Sequence, residues 1–208
     1  VNIGLANQFA RFADSAGIDV HRVIEACNSQ PYSHIHRPGI AVGGHCIPVY
    51  PRLYLWNDPE ATVVRAARAR NAAMPSHAVD LLERLHGDLR DQRVVVLGAA
   101  YRGGVKETAF SGVFGTVDAL RAHGALVTVS DPLYSDDELR RLGFEPHTDG
   151  EPVDAAVVQA DHAEYATWDE SRLPGVRTVV DGRRVLDVER WASTTVTAIG
   201  APPVVPVA

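Results

Sequence analysis

Cys46 follows a pair of glycines in Val42-Gly43-Gly44-His45-Cys46-Ile47-Pro48, the stretch of this sequence best suited to carry chemistry. Glycines let backbone N–H groups approach a ligand closely, and a cysteine placed after them can have its thiolate stabilised by those dipoles. That arrangement would present a nucleophile. It equally suits a buried thiol in a tight turn, and the local residues leave both readings open. His34, His36, His45 and Cys46 are all residues that bind zinc, but His-x-His, then eight residues, then His-Cys matches no standard zinc spacing, so no metal site is expected.

Two further segments carry donors for an anion. Gly98-Ala99-Ala100-Tyr101-Arg102-Gly103-Gly104 follows an apolar run and has the look of a turn at the carboxyl end of a strand, where α/β sheets bind ligands. The G-x-G-x-x-G dinucleotide spacing is not met, and Arg102 is the residue that points to a phosphate contact. Asp181-Gly182-Arg183-Arg184-Val185-Leu186-Asp187 follows another apolar run, and its arginine pair suits either a solvated surface or a nucleotide pyrophosphate.

The elements that must position these residues change character midway. Leu5, Phe9, Phe12 and Ala16 recur at helical spacing and Gly17 offers a left-handed stop. Asp19 is a candidate N-cap for a second helix carrying Val20, Val23, Ile24 and Cys27 on one face, with Cys27 as a small buried apolar residue. From Gln30 to Asp58 the helical period vanishes among prolines and glycines, which predicts a long functional loop. Val64, Ala67, Met74, Ala78, Leu81 and Leu85 restore the period, predicting about 28 residues of helix that Pro75 kinks or splits. Beyond Gln92 the pattern becomes strand, helix, strand: 93–97, 113–123 and 126–129, with further strands at 155–158, 178–180 and 195–199. That alternation predicts a doubly wound α/β domain.

The 208 residues are 46% hydrophobic and 22% charged, which suits a folded globular protein and excludes a disordered chain or a membrane bundle. A net charge of -6 with no basic stripe argues against a nucleic-acid partner. Two cysteines and no apolar leader fit a cytoplasmic protein. The first residue is Val1, so the chain is expected to begin inside a longer protein, and Lys106 is its only lysine.

Taken together, the sequence resembles the nucleotide-sugar 6-dehydrogenase family, which includes UDP-glucose and UDP-N-acetylmannosamine dehydrogenases. The resemblance rests on Val1-Asn2-Ile3 with Leu5-Ala6-Asn7, Pro38-Gly39 followed by Gly43 to Val49, Val96-Leu97-Gly98 with Ala100-Tyr101-Arg102, Ser130-Asp131-Pro132, and Asp181 to Asp187, all in the family's order. It implies a helical central domain over 1–91, carrying the cysteine loop and the homodimer contact, and a Rossmann-like UDP-sugar-binding domain over 92–208. It implies NAD as cofactor, bound mainly by an N-terminal domain that would precede Val1. The implied activity, in polysaccharide biosynthesis, oxidises the sugar's C6 hydroxyl to a carboxylate, with Cys46 forming a thiohemiacetal and then a thioester. Arg37, Gly43 and Gly44 would lie along the substrate, Arg102 would replace a lysine that reaches it, and Arg183 would reach it too. The sequence departs from the family at Tyr50, where many members have an aspartate linked to proton transfer, and at Ala109, where many have an arginine near NAD. A non-catalytic nucleotide-sugar-binding or dimerisation module is the alternative.

Overall fold

The computed structural model describes residues 1–206; residues 207 and 208, the end of the expected second domain, lie outside the described residues. Helix α1 spans Asn2–Ala16 and stops at Gly17, whose φ of 67° only glycine adopts without strain. Its inward face is small: Gly4, Ala6, Asn7, Ala10 and Ala13 are buried. Leu5, Phe9 and Phe12 recur at helical spacing but mark the outer face, Phe12 being 64% exposed. Small residues inside let α1 approach a neighbouring helix so closely that a Cβ on Gly4 would stand 2.7 Å from the Ala67 Cα.

Helix α2, Val20–Asn28, is capped by the Asp19 carboxylate, which accepts from the backbone N–H groups of His21 and Arg22. Val20 and Ile24 are buried. The expectation for Cys27 is corrected to a half-buried thiol, since α2 lays only its Val20–Ile24 edge on the core.

The long loop expected from Gln30 to Asp58 holds a helix, α3, over Cys46–Asn57. Its prolines hid it from periodicity. Pro48 lies in the first turn, where N–H groups have no intrahelical acceptor, and only Pro51 removes an interior bond. Two helices follow, α4 at Thr62–Ala72 and α5 at Met74–His86, divided at Ala73 with Pro75 in the first turn of the second. The split expected at Pro75 therefore falls where proline fits a new helix.

The sheet is all parallel in the order β2-β1-β3-β4-β5, from β1 (Arg93–Leu97), β2 (Leu126–Ser130), β3 (Ala155–Val158), β4 (Thr178–Asp181) and β5 (Thr195–Ala198). The order reverses between β1 and β3, and the crevice at such a switch point is where α/β sheets take ligands. Alternation sorts the two faces: Val94, Val96, Val157 and Val180 meet α5 and α6 (Val113–Ala122), with α1 and α2 in the same core. Val95, Leu97, Val158 and Val179 face Tyr165, Leu173 and Trp191. This second face is covered by three short 3₁₀ turns at Ala163–Thr167, Glu170–Arg172 and Val188–Arg190. A short helix α7, Asp136–Arg141, closed by a Ser135–Glu138 capping box, follows β2. Among the described residues no helix is long and apolar enough to cross a membrane.

Candidate functional site

The segment leading to Cys46 lies over the carboxyl edge of the sheet, and almost every backbone group in it is tied down. Gly39 N–H donates to the Asn7 side chain at 3.0 Å and Ile40 N–H to the Gly182 carbonyl at 3.0 Å. The Ile40 carbonyl accepts from Gln159 at 3.0 Å, the Ala41 carbonyl from Arg183 at 3.0 Å, and Val42 N–H donates to Asn71 at 3.0 Å. Gly44 N–H donates to the Ala109 carbonyl at 2.8 Å. Two helices and three loops at the strand ends thus fix one strap of six residues.

Gly43 and Gly44 are buried, and their closeness serves the protein itself. A Cβ on Gly43 would lie 2.5 Å from the Tyr101 Cβ and 2.7 Å from the Phe110 carbonyl oxygen; one on Gly44, at φ 83°, would lie 3.3 Å from the Tyr101 ring. Beyond them His45 begins α3 and Cys46 is its exposed first residue. A helix start favours negative charge there, through the unpaired N–H groups of the first turn and the helix dipole. Next to the cysteine, His45 Nε2 stands 4.0 Å from a Glu107 carboxylate oxygen, with Tyr50 exposed one turn along α3.

The turn after β1 spends backbone N–H groups on carboxylates of the chain itself. Ala99 and Ala100 N–H donate to the Asp131 carboxylate at 2.7 and 3.1 Å, and Gly103 N–H donates to Asp161 at 2.8 Å. Asp131 also takes a hydrogen bond from His162 at 3.2 Å and one from Leu133 N–H at 2.9 Å. Burial alone would raise its pKa, but the His162 and backbone donors hold it below the ordinary carboxylate value. The dinucleotide cofactor that the resemblance implies does not fit this sheet: an internal carboxylate fills the cradle that would receive its pyrophosphate.

The remaining expected residues separate. Arg102 is exposed, its guanidinium carbon 5.9 Å from the centre of the Tyr101 ring. Half-buried Arg183 donates from Nε to the Gln159 carbonyl at 2.9 Å and from Nη2 to the carbonyls of Ala41 and Tyr101 at 3.0 and 3.1 Å. Burial lowers its pKa, and neighbouring Asp161 and Asp181 oppose that. The structure therefore brings Gly43, Gly44, Arg102 and Arg183 together around Tyr101. Arg37 is exposed, while its neighbour His36 lines a cleft of about 290 Å³ between α1, α3 and α4. Lys106 is held by Glu138 at 2.6 Å, on which this pairing depresses the pKa to about 2.

Sequence reading singled out neither Asn71 nor Gln159, and gave Asn7 no role. Gln159 did carry a signal, as an amide directly after the apolar run 155–158, and a buried amide must find partners; Asn7 beside Gln8 and Asn71 beside Arg70 carried none.

A parallel sheet with a switch point, covered there by a glycine strap that leads from a helical segment to Cys46, defines an α/β protein of the doubly wound class. The chain belongs to the UDP-glucose/GDP-mannose dehydrogenase family: the family's central-domain model matches residues 1–73 and its UDP-binding-domain model matches residues 95–188. It is 35% identical over 196 residues to a UDP-N-acetyl-D-mannosamine dehydrogenase of Pyrococcus horikoshii, covering 89% of this chain and 45% of that protein. It is 27% identical to an NDP-N-acetyl-D-galactosaminuronic acid dehydrogenase of Ralstonia solanacearum, with 93% and 47% covered. Among solved structures, a UDP-D-ManNAc dehydrogenase from Pyrococcus horikoshii superposes with a TM-score of 0.80 at 31% identity, and a UDP-glucose dehydrogenase from Pyrobaculum islandicum with 0.83 at 26%. Each structural match covers 96% of this chain and 48% of the other. The chain spans about half the length of the relatives it matches.

Proposed function

We propose that this chain is the substrate-holding part of an NAD-dependent nucleotide-sugar dehydrogenase that oxidises the C6 hydroxyl of a UDP-sugar to the carboxylate. The observation that carries the reading is the strap: an exposed cysteine at a helix start, fixed over the ligand edge of a sheet that the UDP-binding model matches. Coverage of half the relatives' length supports reading the chain as a fragment, with the NAD domain in the other half. On this reading the isolated chain does not turn over NAD.

Cys46 attacks the aldehyde-level sugar, its sulfur bonding to C6 and giving a thiohemiacetal, which becomes a thioester when C6 is oxidised. NAD, held by the part of the enzyme outside this chain, would supply the oxidant for both oxidation steps. Hydrolysis of the thioester returns the thiol and frees the sugar acid. Gly43 and Gly44 hold the cysteine at its place along the substrate, and Arg102 meets the diphosphate. Arg183 meets it through Nη1, its Nε and Nη2 being committed to carbonyls. Arg37 lies on the segment that flanks the cleft. His45 with Glu107 stands where a proton could be relayed, which offsets the tyrosine at position 50. The outward Leu5, Phe9 and Phe12 of α1 are the contact for a homodimer. A cytoplasmic setting fits sugar nucleotides as substrates.

Calorimetric titration of the chain with UDP tests the placement. Arg102→Ala should weaken binding by about 1.5 to 3 kcal/mol, the scale of a charged hydrogen bond, with Arg102→Lys better tolerated. Equal affinity for parent and alanine variant would move the nucleotide elsewhere.

A further inference from the structure

Among the described residues Arg68 is a cation without a counter-charge. It lies half-buried on α4 and lines the cleft, alongside Val42, Ile47 and His36, and no residue lining that cleft is acidic. Some arginines elsewhere in the chain take carboxylates, as Arg93 does with Asp154 and Arg184 with Asp19; Arg68 differs from the exposed unpaired ones in lying half-buried in a cleft. Among the described residues Arg68 has neither an ion pair nor a hydrogen bond from its guanidinium. A second arginine makes its position costlier. Arg52 of α3, also without an ion pair among the described residues, sits with its guanidinium carbon 5.3 Å from the centre of the Phe110 ring, and its charge reaches Arg68. Burial, followed by the Arg52 charge, lowers the Arg68 pKa, and the charge of an anion in the cleft would oppose that shift.

Besides the Val1 amine, the polar groups lining the cleft are Asn2, His36, Arg68 and Asn71, and Arg68 is the one side chain among them with a permanent charge. Asn71, three residues along the same helix, is turned to Val42, accepting its N–H at 3.0 Å and donating to its carbonyl at 3.4 Å. The remaining lining is largely apolar, which suits a ligand with a carbon skeleton and one anionic group. The cleft also adjoins the cysteine: Ile47, one residue after Cys46, forms part of its wall.

We propose that Arg68 binds the carboxylate of the sugar acid formed at Cys46. The inference rests on the dehydrogenase reading above and names the group that receives its product. When water adds to the thioester carbon, the C–S bond breaks and sulfur leaves as the thiol. The carbon keeps both oxygens as a carboxylate, and one proton goes to solvent. Substrate and product then differ by one negative charge, and a guanidinium fork matches that carboxylate with two parallel hydrogen bonds. Arg68 thus favours the oxidised sugar over its alcohol precursor.

Amide NMR titration of the whole chain with D-glucuronate, D-glucose and inorganic phosphate tests this without NAD or turnover. Glucuronate should shift the amides of Ala67 to Asn71 and glucose should not. Arg68→Gln should weaken the glucuronate response about tenfold or more, and Arg68→Lys should retain part of it. If Arg68→Gln does not fold, Arg68→Lys and the map of glucuronate shifts in the parent still decide. Equal response to glucuronate and glucose, shifts confined to other elements, an Arg68→Gln variant as responsive as the parent, or a response to phosphate alone would each overturn the proposal. UDP titration is read separately: no UDP binding beside intact glucuronate shifts would sink the nucleotide placement and leave Arg68 standing.

Discussion

Arg183 donates from Nη2 to the carbonyl of Ala41 at 3.0 Å, so a side chain from the end of β4 holds the backbone five residues before Cys46. The same nitrogen reaches Tyr101, and Nε reaches Gln159, so one guanidinium joins three separate loops. Arg183→Ala leaves three carbonyls without that donor. It should cost about 2 to 4 kcal/mol in chemical denaturation, with Arg183→Lys recovering only part because an ammonium lacks the planar fork. An alanine variant as stable as the parent would show that the three bonds contribute nothing.

Acid should unfold the sheet through Asp131. Its folded pKa lies below its ordinary value of 3.8, so its contribution is present above that value and is lost as pH falls through the lower folded value. Denaturation series between neutral pH and pH 3 should show stability falling steeply in the parent and less so in Asp131→Asn. At neutral pH that variant should already be weaker by about 2 kcal/mol, because Ala99 and Ala100 lose a charged acceptor. Parallel acid limbs for the two proteins would assign the acid sensitivity elsewhere.

The five strands were legible because parallel strands buried on both faces read as short apolar runs, as Val94 to Leu97 does. Cys46 was legible from its glycines, but its place at the start of a helix was not, since Pro48 and Pro51 break the pattern that a helix would show. The helix α1 was legible but its inward face was not, for a physical reason: close helix contact selects Gly4, Ala6 and Ala10, which carry little hydrophobic signal beside Leu5, Phe9 and Phe12. Nothing local betrays that Asp131 turns back onto Ala99 and Ala100, because that contact joins residues about thirty apart in sequence.

Those outward residues predict an assembly. Phe12→Asp together with Leu5→Asp should leave the fold intact, as both side chains are exposed, while halving the mass measured by light scattering. A parent chain that is already monomeric at high concentration would remove α1 as the homodimer contact.

On the dehydrogenase reading, Cys46→Ser in the longer protein should lower carboxylate formation by more than about a thousandfold, since a neutral hydroxyl cannot replace a thiolate as the attacking group. Sugar-acid output at the parent's rate would exclude Cys46 as the nucleophile.

Gly43→Ala tests whether the strap must touch the turn after β1. The new methyl would stand 2.5 Å from the Tyr101 Cβ and 2.7 Å from the Phe110 carbonyl oxygen, and backbone cannot yield as the end of a flexible side chain can. The strap and the turn must therefore separate. That movement strains the Gly44 bond to Ala109 at 2.8 Å and the Arg183 bonds to Ala41 and Tyr101, which span the same gap. A loss of about 1 to 3 kcal/mol is expected, the range for overpacking a tight contact. Because the strap ends at Cys46, its alkylation rate by iodoacetamide should change as well, read in a Cys27→Ser background so that one thiol reports. Gly17→Ala is the control, since a Cβ there meets nothing within 4 Å and the variant carries only the strain of its φ of 67°. If Gly43→Ala and Gly17→Ala lose the same stability, and neither alters alkylation of Cys46, then the contact between strap and turn does not position the cysteine.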